Sequence, residues 1–332
     1  MHEKILETFD KRDRKLLYEL DKDCGQSDAE LGRELYVSKQ TIRYRINRLL
    51  EQKWITRFAS VIDTYRLGYY KFKLYLSFEG ADKEKIREII DFLIQHKKTE
   101  WVATCSGRWD CIAGYLVKNP YKFNKAEKEL EEKYSEYIDR RELSIALGVP
   151  HWNKEYLTDK EPPYKYKHQG KTHNDYYLDE EDEEIIKLAV NNARMSVVDM
   201  AQQLNLSTRI VNYRLKKLRK EGIILSQKIF LNLPKLNFIF CKALIKFQNL
   251  NEEKYNKFFA ACSDNPYLTY LINSIGSWDV ELDFEVPDFN TFHKIMLSLR
   301  DKFADIIADY DFAIILEEDK LDYYPGCYPK IK

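Results

Sequence analysis

Apolar side chains recur every three to four positions over the first fifty residues of the chain, then switch to strict alternation near residue 70. The first pattern predicts three helices. One covers 10–20, with Leu16, Leu17 and Leu20 on its inner face. The next covers 28–35, with Leu31 and Leu35 inward and Ser27 or Asp28 as its cap. After a short turn at Tyr36-Val37, Ser38 caps a third helix over 39–52 with the stripe Ile42, Ile46 and Leu49. Gly32, like Ala201 in the second copy, is a small residue in the middle helix, where another helix could approach closely. The stretch "WITRFASVIDTYRLGY" that follows alternates like a short hairpin. From 70 the alternation is explicit, with Phe72, Leu74, Leu76 and Phe78 against Lys71, Lys73, Tyr75 and Ser77. A helix over 83–96, strands over 99–106 and 111–117, a helix over 121–135 and a strand over 138–147 complete a β-α-β-β-α-β order, the ferredoxin-like split. One face of such a sheet carries the helices. The other must be solvated or covered by a partner.

The whole pattern is then repeated. Shifted by 169 residues, "LYVSKQTIRYRINRL" at 35–49 lies on "LNLSTRIVNYRLKKL" at 204–218, and "ELSIAL" at 142–147 lies on "DFAIIL" at 311–316. The alignment runs without a gap from about residue 10 to 147, so the chain reads as an old tandem duplication. In the second copy Met200 and Leu204 mark the middle helix, and Ser207 caps a third helix with the stripe Val211, Leu215 and Leu218. The expected organisation is a winged helix-turn-helix over 1–66, a ferredoxin-like domain over 67–147, a linker over 148–178, a second winged helix-turn-helix over 179–236 and a second ferredoxin-like domain over 237–332. The linker holds three prolines and many charges, with Trp152 and its tyrosines as the residues that could order it in part. As a flexible coil it would span roughly 30 Å.

Composition narrows the classes. The 332 residues are 44% hydrophobic and 14% aromatic, which suits folded cores rather than disorder. Six cysteines show no C-x-x-C pair, and neither they nor the six histidines have metal-ligand spacing, so no metal, cofactor or catalytic residue is expected. The N-terminal stretch has no apolar h-region and no run is long enough to span a membrane, so the expected location is cytoplasmic.

Net charge is zero, but its distribution is not even. Residues 38–57 hold six basic residues against Glu51 alone, and 207–228 hold seven against Glu221 alone. Both basic patches fall on the third helix of a helix-turn-helix, the element that enters the major groove of double-stranded DNA. Residues 252–322 hold sixteen acidic residues against six basic ones, which keeps that segment away from phosphate. Off the apolar stripe, Lys39, Gln40, Thr41, Arg43 and Tyr44 are the base-edge candidates in the first copy, beside the cap Ser38. In the second they are Thr208, Arg209, Ile210, Asn212 and Tyr213, beside Ser207. Arg and Lys suit guanine, Asn and Gln suit adenine, and Ile suits the thymine methyl. Arg45 and Arg214 lie next to the stripe and reach either phosphate or an internal ion pair, whereas Arg48 and Lys217 are the better phosphate candidates.

Between the middle strands of each sheet stands a Gly-x-Trp-Asp turn: Gly107, Trp109 and Asp110, then Gly276, Trp278 and Asp279. By itself such a turn is a structural element in which Gly supplies a positive φ, Asp bonds nearby amides and Trp packs.

The order of these pieces resembles the Lrp/AsnC (feast/famine) transcription regulators, over about 10–147 and 179–320. The resemblance implies an α+β fold of two tandem units, each a winged helix-turn-helix followed by a ferredoxin-like βαββαβ (ACT/RAM-like) domain. It implies recognition helices at 38–52 and 207–221, and a regulator modulated by a small effector such as an amino acid. It also implies a homo-oligomer formed through the ferredoxin-like sheets, and effector contacts at Gly107, Trp109, Asp110, Gly276, Trp278 and Asp279. Two features depart from the usual pattern. Two units are fused, so the linker could let one chain imitate the family's dimer. Lys53 also stands where the second copy has Gly222 just past the helix. Siroheme decarboxylases resemble the same family. The turn regions here, "EWVATCSGRWDCIAGYL" and "TYLINSIGSWDVELDF", carry no histidine, and Arg108 is replaced by Ser277 in the second copy. A third alternative is an effector sensor without DNA affinity.

Overall fold

The computed structural model of this chain describes residues 9–327. The ends of the expected terminal domains, 1–8 and 328–332, lie outside the described residues.

The front of each half is a three-helix unit. In the first half these are α1 (Lys11–Lys22), α2 (Asp28–Leu35) and α3 (Lys39–Glu51). Ser27 is the cap of α2 in a complete capping box with Glu30, and Ser38 caps α3 through the Thr41 N–H. The turn between α2 and α3 is tight: a Cβ on Gly32 would stand 2.7 Å from the Val37 carbonyl oxygen. The close approach at Gly32 is thus made by the chain's own turn. The second half repeats this as α6 (Glu180–Asn191), α7 (Val197–Leu204) and α8 (Thr208–Lys220), capped by Asp179, Ser196 and Ser207. The turn residue is left-handed in both, Tyr36 at φ 57 and Asn205 at φ 53.

The expected wing hairpin does not form. Each half contributes one strand instead, β1 (Ile55–Ile62) and β7 (Ile224–Leu231), and the two pair antiparallel with each other. Alternation alone does not say which strand is the partner. The exchange is reciprocal, since α1 packs on β7 and α6 packs on β1. The two helix-turn-helix units are therefore one intertwined body.

Behind them lies a single sheet. In chain order it contains β2 (Tyr70–Phe78), β3 (Thr99–Gly107), β4 (Cys111–Val117), β5 (Ile138–Trp152), β6 (Tyr166–Gln169), β8 (Ile239–Phe247), β9 (Leu268–Gly276), β10 (Val280–Val286) and β11 (Ile307–Leu321). The spatial order is β2-β4-β3-β11-β8-β10-β9-β5-β6, and β2 also pairs with β5, so eight strands close into a barrel with β6 appended. Helices α4 (Lys83–Gln95), α5 (Pro120–Tyr134), α9 (Glu252–Ser263) and α10 (Phe289–Lys302) pack outside it. The long last strands make the closure: β5 leaves β2 to pair with β9, and β11 leaves β8 to pair with β3.

The closed barrel changes two expectations. The alternating sheet face that needed a partner, with Lys71, Lys73 and Tyr75, is buried against the other half of the same chain, so these faces are not available for a homo-oligomer. Nor is the segment 148–178 a free coil. β5 runs on to Trp152, residues 166–169 add a strand, and Trp152 and Tyr156 are buried in the core that joins the first head to Phe238 and the second half. Burying those two rings removes roughly 2–3 kcal/mol each of exposed apolar surface, enough to overcome the ordering of a few residues.

Candidate nucleic-acid interface

The two third helices present the same geometry twice. Their apolar stripes are buried, and Lys39, Gln40, Arg43, Tyr44, Thr208, Arg209, Ile210, Asn212 and Tyr213 are exposed on the opposite faces. Tyr44 and Tyr213 are 66% and 69% exposed, unusual for large rings without a partner. Ser38 and Ser207 are committed to capping, and Thr41 is half-buried with its hydroxyl 2.9 Å from that of Ser38. Arg43 is exposed and meets Asp28 at 3.1 Å, a surface pair that solvent weakens.

The next turn of each helix is not free. Arg45 donates to Asp10 at 2.9 Å and to Asp13 at 2.5 Å, and Arg48 also bonds Asp13. Arg214 donates to Asp179 at 2.8 Å and to Asp182 at 2.7 Å, and Lys217 reaches Asp182 at 3.2 Å. For Arg45 and Arg214 the internal ion pair is therefore what forms. Arg48 and Lys217, read from sequence as phosphate contacts, pair with the first helix of their own head and stay partly exposed. Asp13 and Asp182 are nearly fully buried, so each needs its basic partners. The Asp182 N–H, with the Arg214 guanidinium second, holds the Asp179 carboxyl below its usual range. Sequence reasoning missed these aspartates, although Asp10/Asp13 and Asp179/Asp182 repeat at the same 169-residue offset as everything else. That repetition was the available signal.

Arg194 was also missed, and it has no counterpart, since Gly25 stands at the equivalent place. From the second head it donates to the carbonyls of Cys24 at 2.8 Å and Gln26 at 3.0 Å, and to Asp28 at 2.7 Å. It fixes the first head against the second. The contact between the two heads is thus asymmetric.

The Gly-x-Trp-Asp turns take structural positions. The Asp110 carboxylate accepts the Phe78 N–H at 2.7 Å, and Asp279 accepts the Phe247 N–H at 2.7 Å and Lys246 at 3.1 Å. Trp109 and Trp278 are buried inside the barrel, their rings 5.8 and 6.3 Å from Tyr75. Gly107 at φ 125 and Gly276 at φ 132 each lie opposite the last strand of the other half, at Ala313 and Ser144. Arg108 bridges Asp311 of the second half and Glu142 of the first, at 3.2 and 3.1 Å. Sequence reasoning placed these residues between the middle strands correctly. It could not show that the turn stitches the two halves together.

The barrel interior also accounts for part of the acidic segment. Glu281 is fully buried and accepts from Lys73 at 2.6 Å and Lys242 at 3.1 Å. Burial would raise its carboxyl, but the two lysines hold it down at about 2.

A family profile described as winged helix-turn-helix DNA-binding matches residues 9–56 and 178–224. An uncharacterised HTH-type transcriptional regulator of Pyrococcus horikoshii is 27% identical over 148 residues, covering 43% of this chain and 89% of the relative. The DNA-binding transcriptional activator DecR of Escherichia coli K12 is 23% identical over 137 residues, covering 40% of this chain and 90% of DecR. Among solved structures, the siroheme decarboxylase NirDL superposes with a TM-score of 0.63 at 12% identity, covering 93% of this chain and 92% of that one. This likeness is one of fold. Two winged helix-turn-helix matches at a fixed interval, and relatives that each match about one half of it, make the chain a tandem of two units similar to HTH-type transcriptional regulators.

Proposed function

We propose that this chain is a sequence-specific DNA-binding transcriptional regulator with two non-identical reading heads. One observation carries the proposal: two recognition helices on one intertwined body expose different base-length side chains, Lys39, Gln40 and Arg43 on one and Thr208, Arg209 and Asn212 on the other. Each helix is held by a buried ion cluster, so these side chains are presented rather than spent on folding. Arg43 and Asn212 are read as base contacts, Lys39 and Arg209 as base or phosphate contacts, and the exposed tyrosines as backbone contacts. The operator is two different half-sites at one fixed separation. Fluorescence anisotropy with selected duplexes across a salt series tests this. Specific binding with a steep negative slope supports it, and binding indifferent to both sequence and salt contradicts it.

In this reading each βαββαβ segment is a ferredoxin-like unit and the two form an intrachain pseudo-dimer, with 148–178 as the connecting strap. The protein works in the cytoplasm and answers a small effector such as an amino acid. Exposed Leu147, Ile275 and Leu316 on the outer barrel strands support a homo-oligomer that uses the outside of the barrel. The enzymatic reading rests on the fold shared with the siroheme decarboxylase. Against it, the cavity at the barrel mouth is ≈ 130 Å³ and crossed by ion pairs, whereas sites for drug-sized molecules run to roughly 300–1,000 Å³. A tetrapyrrole absorption band that purifies with the protein would favour that reading instead.

A further inference from the structure

A cavity of ≈ 130 Å³ opens where the two heads meet the barrel. Asp21 of α1 reaches it from the first head and Lys228 of β7 from the second, while Trp101, Tyr270, Glu318 and Tyr323 reach it from the barrel strands and C-terminal segment. Five lysines and five carboxylates line it, so its charges can be followed one by one. Lys71 pairs with Glu100 at 3.2 Å. Lys154 pairs with Glu285, and Lys242 with Asp283. Lys73 lines the cavity but donates to Glu281. Lys228 donates to the Trp152 carbonyl at 2.5 Å and stays 4.0 Å from Asp21.

Two carboxylates are left without a cation within hydrogen-bonding distance. Asp21 is fully buried. Its Oδ2 accepts the Lys154 N–H at 2.8 Å, and its Oδ1 has no donor. Among the described residues Glu318 accepts only the Trp101 indole N–H, at 3.0 Å. Glu318 is exposed at the cavity mouth; of the nearby cations, Lys154 is held by Glu285, and Arg57 donates to the Leu321 carbonyl. Both carboxylates line the same cavity as Tyr270, whose hydroxyl is 2.9 Å from that of Tyr323. A buried carboxylate oxygen without a donor costs several kcal/mol, and the rings beside it already accept cations, Lys73 and Lys242 at Trp101 and Lys228 at Tyr270. The mixed carboxylate and aromatic lining suits an organic ammonium cation.

We propose that this cavity binds a small primary amine, whose ammonium group donates to Asp21 and Glu318 between the Trp101 and Tyr270 rings. The volume admits a molecule of roughly benzene size, which includes ethanolamine and 1,4-diaminobutane. The lining comes from both heads and both halves of the barrel, so occupancy would bias how the heads sit on the barrel. That consequence rests on the regulatory reading; the binding itself does not.

The test is isothermal titration calorimetry of the full chain, without DNA, against ethanolamine, 1,4-diaminobutane, tetramethylammonium and butyrate. Saturable binding of the primary amines alone is expected, weakened at least tenfold in Asp21→Asn. Glu318→Gln reads the same site from the barrel side, should Asp21→Asn fail to fold. Absence of amine binding to the wild type, or binding that neither substitution weakens, overturns the proposal; so does a preference for butyrate. DNA affinity measured separately shows whether the reading heads work, so the two ideas can fail independently.

Discussion

Gly276, in the turn of the second half, lies directly opposite Ser144 in the last strand of the first half, and a Cβ there would stand 2.3 Å from the Leu143 carbonyl oxygen. Its counterpart Gly107 faces Ala313, with the Phe312 carbonyl oxygen 3.2 Å from the same position. Both glycines also hold a φ that side chains disfavour. Gly276→Ala should therefore destabilise the protein by about 3 kcal/mol and Gly107→Ala by about 1–2 kcal/mol. Denaturant melts of the two variants check the ranking. Equal costs would mean that the close approach at Leu143 is not what the turn requires.

Residues that read DNA and residues that hold the heads should separate cleanly. Asp182 is buried with Arg214 and Lys217 on it, so Asp182→Ala removes the carboxylate of Lys217 and one of the carboxylates of Arg214, which keeps Asp179, and should cost about 1–3 kcal/mol of stability. Arg43→Ala and Asn212→Ala remove exposed side chains and should leave the melting transition within about 0.5 kcal/mol. Each should lose about 1–3 kcal/mol of discrimination at one half-site. Thermal melts paired with anisotropy on matched and mismatched duplexes distinguish the classes.

Lys53 follows α3 with φ 55, where the second half has Gly222 at φ 70. A left-handed lysine is strained by roughly 1–2 kcal/mol, and glycine is not. Lys53→Gly should raise stability by about 1 kcal/mol. A decrease would show that the side chain has a compensating role. The same change removes one of the basic residues beside the first reading helix, so DNA binding should lose some of its salt dependence while stability rises.

Acid should unfold the protein partly through the barrel interior. The folded Glu281 carboxyl is held at about 2, below its ordinary 4.5, so its contribution is complete above pH 4.5 and is lost as pH falls through that interval towards 2. His151 adds a second step of the same sign. It is buried and pushed well below 6.5, so the unfolded chain takes up the proton first and stability declines as pH drops below 6.5. Glu281→Gln should flatten the lower part of the stability–pH curve, and His151→Phe the upper part.

The helices, their caps and the strand order were legible because each is written in local periodicity, and because two copies of one pattern check each other. Ser27, Ser38 and Ser207 are caps where the apolar stripes begin. Pairings between the halves were not legible. The strand 55–62 reads like half of a hairpin whether its partner follows in the chain or lies 169 residues on, and nothing local says that β5 and β11 cross from one sheet to the other. The ion pairs of Arg48 and Lys217 were not legible for the same reason. The basic character of both residues is visible, but Asp13 and Asp182 come from another helix. Arg194 has no repeat counterpart and gave no signal at all.

The most direct test of two unlike heads on one intertwined body is selection of bound duplexes from a random pool, with the wild type, Arg43→Ala and Asn212→Ala in parallel. The account predicts a wild-type site of two different halves at a single spacing, with each substitution relaxing a different half. A perfect palindrome, or two substitutions that relax the same positions, would contradict it.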